Sequence, residues 1–117
     1  MKSESKICII IPAFNEAQVI KSVVRNVIQE LNRERLNFEV VVVNDGSTDK
    51  TTNEARAGGA IVINHILNSG VGAATTTGLS YAAQNDFQLA VTMDADGQHL
   101  PSDVIKGLKI MHDSNID

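Results

Sequence analysis

Val91-Thr92-Met93-Asp94-Ala95-Asp96-Gly97-Gln98-His99 joins an apolar run to two carboxylates one residue apart. Leu89, Ala90 and Val91 lead into it and read as a buried strand, bounded by Asp and Gly as strands usually are. Carboxylates after such a strand cannot stay unpaired in a core, so they belong at its mouth. In open α/β sheets that mouth is where ligands bind. Two hard oxygen donors there suit Mg2+ or Mn2+, which are usually held by one or two carboxylates and substrate phosphates. Asp-x-Asp-Gly is equally at home in a plain solvated turn, so the rest of the chain must decide.

Working outward, the chain alternates strand and helix. Ile7–Ile11 is a continuous apolar, β-branched run, expected to be a strand buried on both faces and ended by Pro12. Asn15 is placed to cap a helix from Glu16 to about Arg35, in which Val19, Ile20, Val23, Val24, Val27, Ile28 and Leu31 form one apolar face. Phe38–Val43 reads as the second strand. Asn44–Asp49 is a turn, with Ser47 or Thr48 capping a short helix that stops at Gly58-Gly59. Ala60–Asn64 is the third strand, His65–Ser69 a loop, Gly70–Gln84 a helix of small residues and Phe87–Met93 the fourth strand. Pro101 suits the first position of a last helix reaching about Asp113. Four alternations predict an α/β class, a Rossmann-like parallel sheet with helices on both faces and right-handed crossovers.

The bulk numbers narrow the function. A chain of 117 residues, 43% hydrophobic and 21% charged, is expected to form a single domain over 1–117 with one core. Its net charge of −4, with Lys and Arg scattered, argues against a nucleic-acid partner. The lone Cys8 lies in an apolar run, so it is expected to be a buried small hydrophobe in a reducing, cytoplasmic compartment. Met1–Lys6 is polar and no signal peptide is expected; no apolar run approaches the ~20 residues of a membrane span.

Polar residues follow every strand, and in a parallel sheet the four loops emerge on one edge. Pro12-Ala13-Phe14-Asn15-Glu16, Val42-Val43-Asn44-Asp45-Gly46-Ser47-Thr48-Asp49, Asn68-Ser69-Gly70-Val71-Gly72-Ala73-Ala74 and Asp94-Ala95-Asp96-Gly97-Gln98-His99 follow in order. Together they resemble the nucleotide-sugar half of a family 2 glycosyltransferase, from Ile7 to about Leu108. The Asp-Ala-Asp-Gly-Gln-His form is most similar to the dolichol- and polyprenyl-phosphate sugar synthase branch. The resemblance implies the first half of a glycosyltransferase A-type domain. It implies transfer of a hexose from a nucleoside diphosphate sugar, with Mg2+ or Mn2+, to a polyprenyl phosphate or a saccharide. It would place the whole protein in the cytoplasm, extending to the cytoplasmic membrane face.

Roles follow from the same resemblance. Pro12, Ala13, Phe14 and Glu16 would line the nucleoside pocket, with Glu16 near the ribose. Asp45 would accept an N–H of the base, since uracil and guanine both offer one and a carboxylate only accepts. Gly72 and Ala95 would help line the donor site. Asp94 would lie near ribose and metal, Asp96 would ligate the metal that bridges the diphosphate, and Gln98 could add its amide oxygen. Val71 and Thr75 stand where family members often carry basic residues. No residue matches the family's catalytic base, so none is assigned, and the chain is expected to stop before the acceptor half and to be inactive alone.

Plainer readings stand beside these. Asp45-Gly46 is a common turn pair, Asp49 and Glu16 suit a helix start, and Gly70 and Gly72 let a helix pack closely. His99 reads as a loop residue, and His65 and His112 are expected to have no catalytic role. Three rival functions remain in view. Gly70-x-Gly72 opening a helix, with Asp94 ending the next strand, partly fits a dinucleotide-binding oxidoreductase. Asp94 as nucleophile would suit an Asp-x-Asp phosphatase, although Gln98 stands where that motif wants a hydroxyl. The third is a nucleotide-binding fragment without turnover. The fourth strand is also expected to be a sheet edge through which the chain self-associates as a homodimer.

Overall fold

The computed structural model of the protein describes residues 6–95. The expected helix over 101–113 and the Asp96–His99 end of the carboxylate motif lie outside the described residues. Four strands, β1 (Lys6–Ala13), β2 (Asn37–Asp45), β3 (Ile61–His65) and β4 (Leu89–Thr92), alternate with helices α1 (Ile20–Arg33), α2 (Thr51–Gly58) and α3 (Val71–Gln84). The strands form one parallel sheet in the order β3-β2-β1-β4. This is the α/β architecture expected from the alternation.

The pleat sends successive side chains to opposite faces. Ile7, Ile9, Ile11, Val40 and Val42 meet Val23, Val24, Val27 and Leu31 of α1 on one face. Cys8, Ile10, Val41 and Val43 meet Ala74 and Ala82 of α3 on the other. Ile9, Ile10 and Ile11 are fully buried, as the continuous apolar run predicts. The small residues of α3 have a packing reason. Ala74, Gly78 and Ala82 form its buried stripe, and a Cβ at Gly78 would run into the side chain of Ile10.

Element ends differ from expectation in instructive places. Pro12 does not end β1 but pairs with Val43 inside it. Met93 N–H donates to Ile10 O at 3.0 Å, so alternate residues of β1 face β4, and Pro12 faces that side too. Pairing with β4 ends at Thr92, so the missing Pro12 N–H falls where no ladder bond is needed. Asn15 does not cap α1, which begins at Ile20. Asn15 has φ 54°, and its Oδ1 accepts the Thr48 N–H at 2.8 Å across the next loop. Neither Ser47 nor Thr48 caps α2; Lys50 holds that position, and Asp49 Oδ1 accepts the Thr51 N–H at 3.0 Å. α2 does stop at Gly59, in the left-handed region at φ 111°.

Candidate nucleotide-binding cleft

The apolar parts of β1, β2 and β4 run out at the same edge, and the polar residues after them enclose a cleft of about 340 Å³. Pro12, Ala13, Phe14, Glu16, Asp45, Asp94 and Ala95 line it, joined by Asn68, Gly70, Val71 and Ala74. Gly72 lies on the exposed first turn of α3, beside this wall. Asp96 and Gln98, expected as metal ligands, lie outside the described residues.

The cleft owes its shape to hydrogen bonds between loops. Asn15 N–H donates to Ser47 Oγ at 2.8 Å, and Glu16 N–H donates to Thr51 Oγ1 at 2.9 Å. Asp49 Oδ2 accepts the Ala17 N–H at 3.2 Å. Thr51 Oγ–H donates to the same carboxylate at 2.5 Å and, ahead of the opposing effect of burial, holds it below the usual carboxylate range. Asp49 therefore ties the loop after β2 to the loop after β1. Gly46 makes the next junction possible. It has φ +76°, and a Cβ there would lie 2.5 Å from the Asn68 nitrogen.

Adjacent residues at the end of β2 serve opposite faces. Asn44 Nδ2 donates to Thr52 Oγ1 at 2.6 Å and to Asn64 Oδ1 at 3.0 Å, on the α2 side. Asp45 turns to the α3 side and is only 4% exposed. Its Oδ1 accepts the Ser69 N–H at 2.9 Å and faces His65 Nδ1 at 2.8 Å; its Oδ2 accepts the Gly70 N–H at 2.8 Å. Burial, the largest single influence, pushes this carboxyl up, but these hydrogen bonds and the neighbouring imidazole together hold it below its usual value. Asp45 is therefore an ionised acceptor on the cleft wall at neutral pH.

In the sequence His65 reads as the first residue of a loop, with no catalytic role. The structure makes it the last residue of β3, paired in register with Asp45, just as Asn64 pairs with Asn44. The signal was present: both apolar runs end in a polar dipeptide, Asn44-Asp45 and Asn64-His65, and parallel pairing aligns them. Ser69 and Gly70 contribute through backbone N–H groups, which side-chain patterns do not reveal.

Asp94 is exposed at the lip of the cleft. Among the described residues no three His, Cys, Asp or Glu side chains gather as a metal cage. A hard carboxylate at an open polar edge does suit Mg2+ or Mn2+, which commonly take only one or two protein carboxylates.

Comparison with known proteins supports the same assignment. Residues 8–117 match the family described as Glycosyl transferase family 2. The chain is 38% identical over 130 residues to the UDP-N-acetylglucosamine–dolichyl-phosphate N-acetylglucosaminyltransferase of Methanococcus voltae, covering 96% of this chain and 50% of that one. An uncharacterised protein of Methanocaldococcus jannaschii is 41% identical over 107 residues, covering 92% and 42%. Among solved structures, glucosyl-3-phosphoglycerate synthase of Mycobacterium tuberculosis with phosphoglyceric acid gives a TM-score of 0.68 at 28% identity, over 89% of this chain and 38% of that one. The mannosyltransferase PcManGT of Pyrobaculum calidifontis with GDP-Man and Mn2+ gives 0.65 at 28%, over 77% and 27%. The chain spans half or less of the length of these relatives. Sequence and fold agree: the chain belongs to glycosyl transferase family 2 and has the Rossmann-like half of a glycosyltransferase A-type domain.

Proposed function

We propose that this chain binds the donor for a metal-dependent hexosyl transfer from a nucleoside diphosphate sugar to a polyprenyl phosphate or a saccharide. The observation that carries the reading is the state of Asp45. An ionised carboxylate has about four acceptor positions. Among the described residues three are taken, by Ser69, Gly70 and His65, which leaves one on Oδ2 of a residue that lines the cleft. That remaining position suits a ring N–H of uracil or guanine. Pro12, Ala13, Phe14 and Glu16 would flank the nucleoside, and Gly72 and Ala95 would border the donor. The names of relatives are consistent with this donor class: one uses UDP-N-acetylglucosamine with dolichyl phosphate, and another was solved with GDP-Man and Mn2+.

Asp94 and Asp96, with the Gln98 amide oxygen, would hold Mg2+ or Mn2+ against the diphosphate. Such an ion neutralises charge on the departing nucleoside diphosphate. Asp45 would orient the base, and the Phe14 and Val71 walls would keep water from one side of the donor. The proposed setting is the cytoplasmic side of a membrane. Among the described residues no helix is long and apolar enough to cross one. β4 ends the sheet among the described residues, and pairing of two copies along it is part of the proposal.

Calorimetric titration of UDP, GDP and NAD, with and without Mn2+, tests the reading. UDP or GDP should bind, more tightly with Mn2+, and NAD should not. Asp96→Ala should remove the Mn2+-dependent part and leave the fold intact. Preference for NAD without a metal effect would overturn the proposal. Light scattering tests pairing, and a strict monomer at high concentration would sink it.

A further inference from the structure

We infer that His65 is a positioning residue for nucleobase recognition: it occupies one oxygen of Asp45 so that the other presents a single acceptor to a base carrying a ring N–H. This rests on the reading of Asp45 as the group that meets the base.

The geometry comes from strand register. Asp45 and His65 are partners at the ends of β2 and β3 and therefore share a face. Their side chains are 5% and 17% exposed. His65 Nδ1 lies 2.8 Å from Asp45 Oδ1, and Nε2 lies 2.8 Å from Thr77 Oγ1 on α3. An ionised carboxylate can only accept, so Nδ1 carries the proton of this contact. In the neutral ring Nε2 then accepts from the Thr77 hydroxyl; in the charged ring it donates to that oxygen. Both states send Nδ1–H to Asp45, so the arrangement does not depend on the charge of the ring.

The consequence lies in the occupancy of each oxygen. Oδ1 takes the Ser69 N–H and His65, which fills it. Among the described residues Oδ2 takes the Gly70 N–H alone and keeps one position. Removing the imidazole would open Oδ1 and release the carboxylate to turn about its last bond. Two acceptors of different direction would then face the cleft, and selection of one ring N–H would weaken. Thr77 anchors the imidazole to the same helix whose start, Gly70 and Val71, forms the cleft wall. The ligand class is thus a uracil or guanine nucleotide rather than an adenine or cytosine one, which lack that proton.

The experiment compares UDP with N3-methyl-UDP, and GDP with N1-methyl-GDP, by calorimetry on the full chain. Methylation replaces the ring proton with a methyl group, which removes the donor and adds bulk against the acceptor. In the wild type it should weaken binding by about tenfold or more, the scale of one lost buried hydrogen bond. Asp45→Ala, which removes the acceptor and leaves room for the methyl, should abolish that difference, and His65→Ala should reduce it to about two- to fourfold. His65→Asn, which keeps an N–H near the Nδ1 position, should restore most of it. If Asp45→Ala leaves the methyl effect intact, or the wild type binds neither nucleotide, the base reading fails and this inference fails with it. If Asp45→Ala abolishes the effect but His65→Ala preserves it, only the role of His65 is overturned. Equal losses for methylated and unmethylated ligands in His65→Ala would reduce His65 to a structural part and also overturn the inference. Should His65→Ala not fold, nitrogen-15 NMR of the wild type decides, since a ring in the Nε2–H tautomer would exclude donation to Asp45.

Discussion

Replacing Gly46 by Ala should damage the mouth of the sheet far more than one methyl group suggests. Gly46 has φ +76°, where an L side chain costs roughly 1–2 kcal/mol. Its new Cβ would also sit 2.5 Å from Asn68 N and 2.7 Å from the Leu67 carbonyl carbon. Both are backbone atoms, which cannot rotate aside, so a further cost of about 1–3 kcal/mol of overpacking applies. The total is roughly 2–5 kcal/mol, against the ~5–15 kcal/mol that usually holds a domain together. At about 3–6 °C per kcal/mol, melting should fall by roughly 6–30 °C. Gly59→Ala is the control. It also has positive φ, +111°, but its Cβ would meet only the mobile tip of Ile28 at 2.8 Å. Gly59→Ala should therefore show mainly the backbone cost. Urea unfolding of both variants separates the effects. Equal losses would refute the claim that contact between the loops, rather than the backbone angle, makes Gly46 indispensable.

Other outcomes follow from the interior and the loops. Cys8 is fully buried, and that burial, helped by Glu39, pushes its thiol up to about 11. It should resist iodoacetamide at pH 8 in the folded chain and react at once in urea, as mass spectrometry would record. Asp45 and Asp49 both titrate below their ordinary value when folded, so their stabilisation is complete above the unfolded value and is lost as pH falls through the lowered one. Urea midpoints should therefore drop from about pH 4 downward, and less steeply in Asp49→Asn. Ile9→Ala, at a fully buried position in the central strand, should cost about 2–5 kcal/mol in urea unfolding while leaving the affinity of folded protein for nucleotide unchanged.

Much of this was legible in the residues. The run Ile7–Ile11 announced a strand covered on both sides, the heptad-like spacing of Val23, Val24, Val27 and Leu31 announced α1, and Gly58-Gly59 announced the end of α2. Those signals are local and depend on periodicity. What escaped was non-local. Asn15 looked like a helix cap but turned its side chain to Thr48, thirty-three residues away. Pro12 looked like a strand stop, but a missing N–H matters only if a neighbour needs it. Asp45 was recognised from its motif, yet its three partners come from residues 20 to 25 positions later and were invisible without the register. Pro12, Ala13, Phe14, Glu16, Asp94 and Ala95, singled out through the family resemblance, line one cleft because parallel strands end on a shared edge.

The opposed side chains of Asn44 and Asp45 bear on how such a chain can change over generations. An insertion in the turn between α1 and β2, at the far end of the sheet, moves nothing at the mouth. Inserting or deleting a single residue inside β2 would exchange the two side chains. The amide would then face α3 and His65, and the carboxylate would be driven toward Thr52 and Asn64, where no imidazole awaits it. Only changes of two residues keep each group on its own side. The strand's length is therefore heritable in even steps alone, while the loops beyond it are held at the few residues that bond across the mouth.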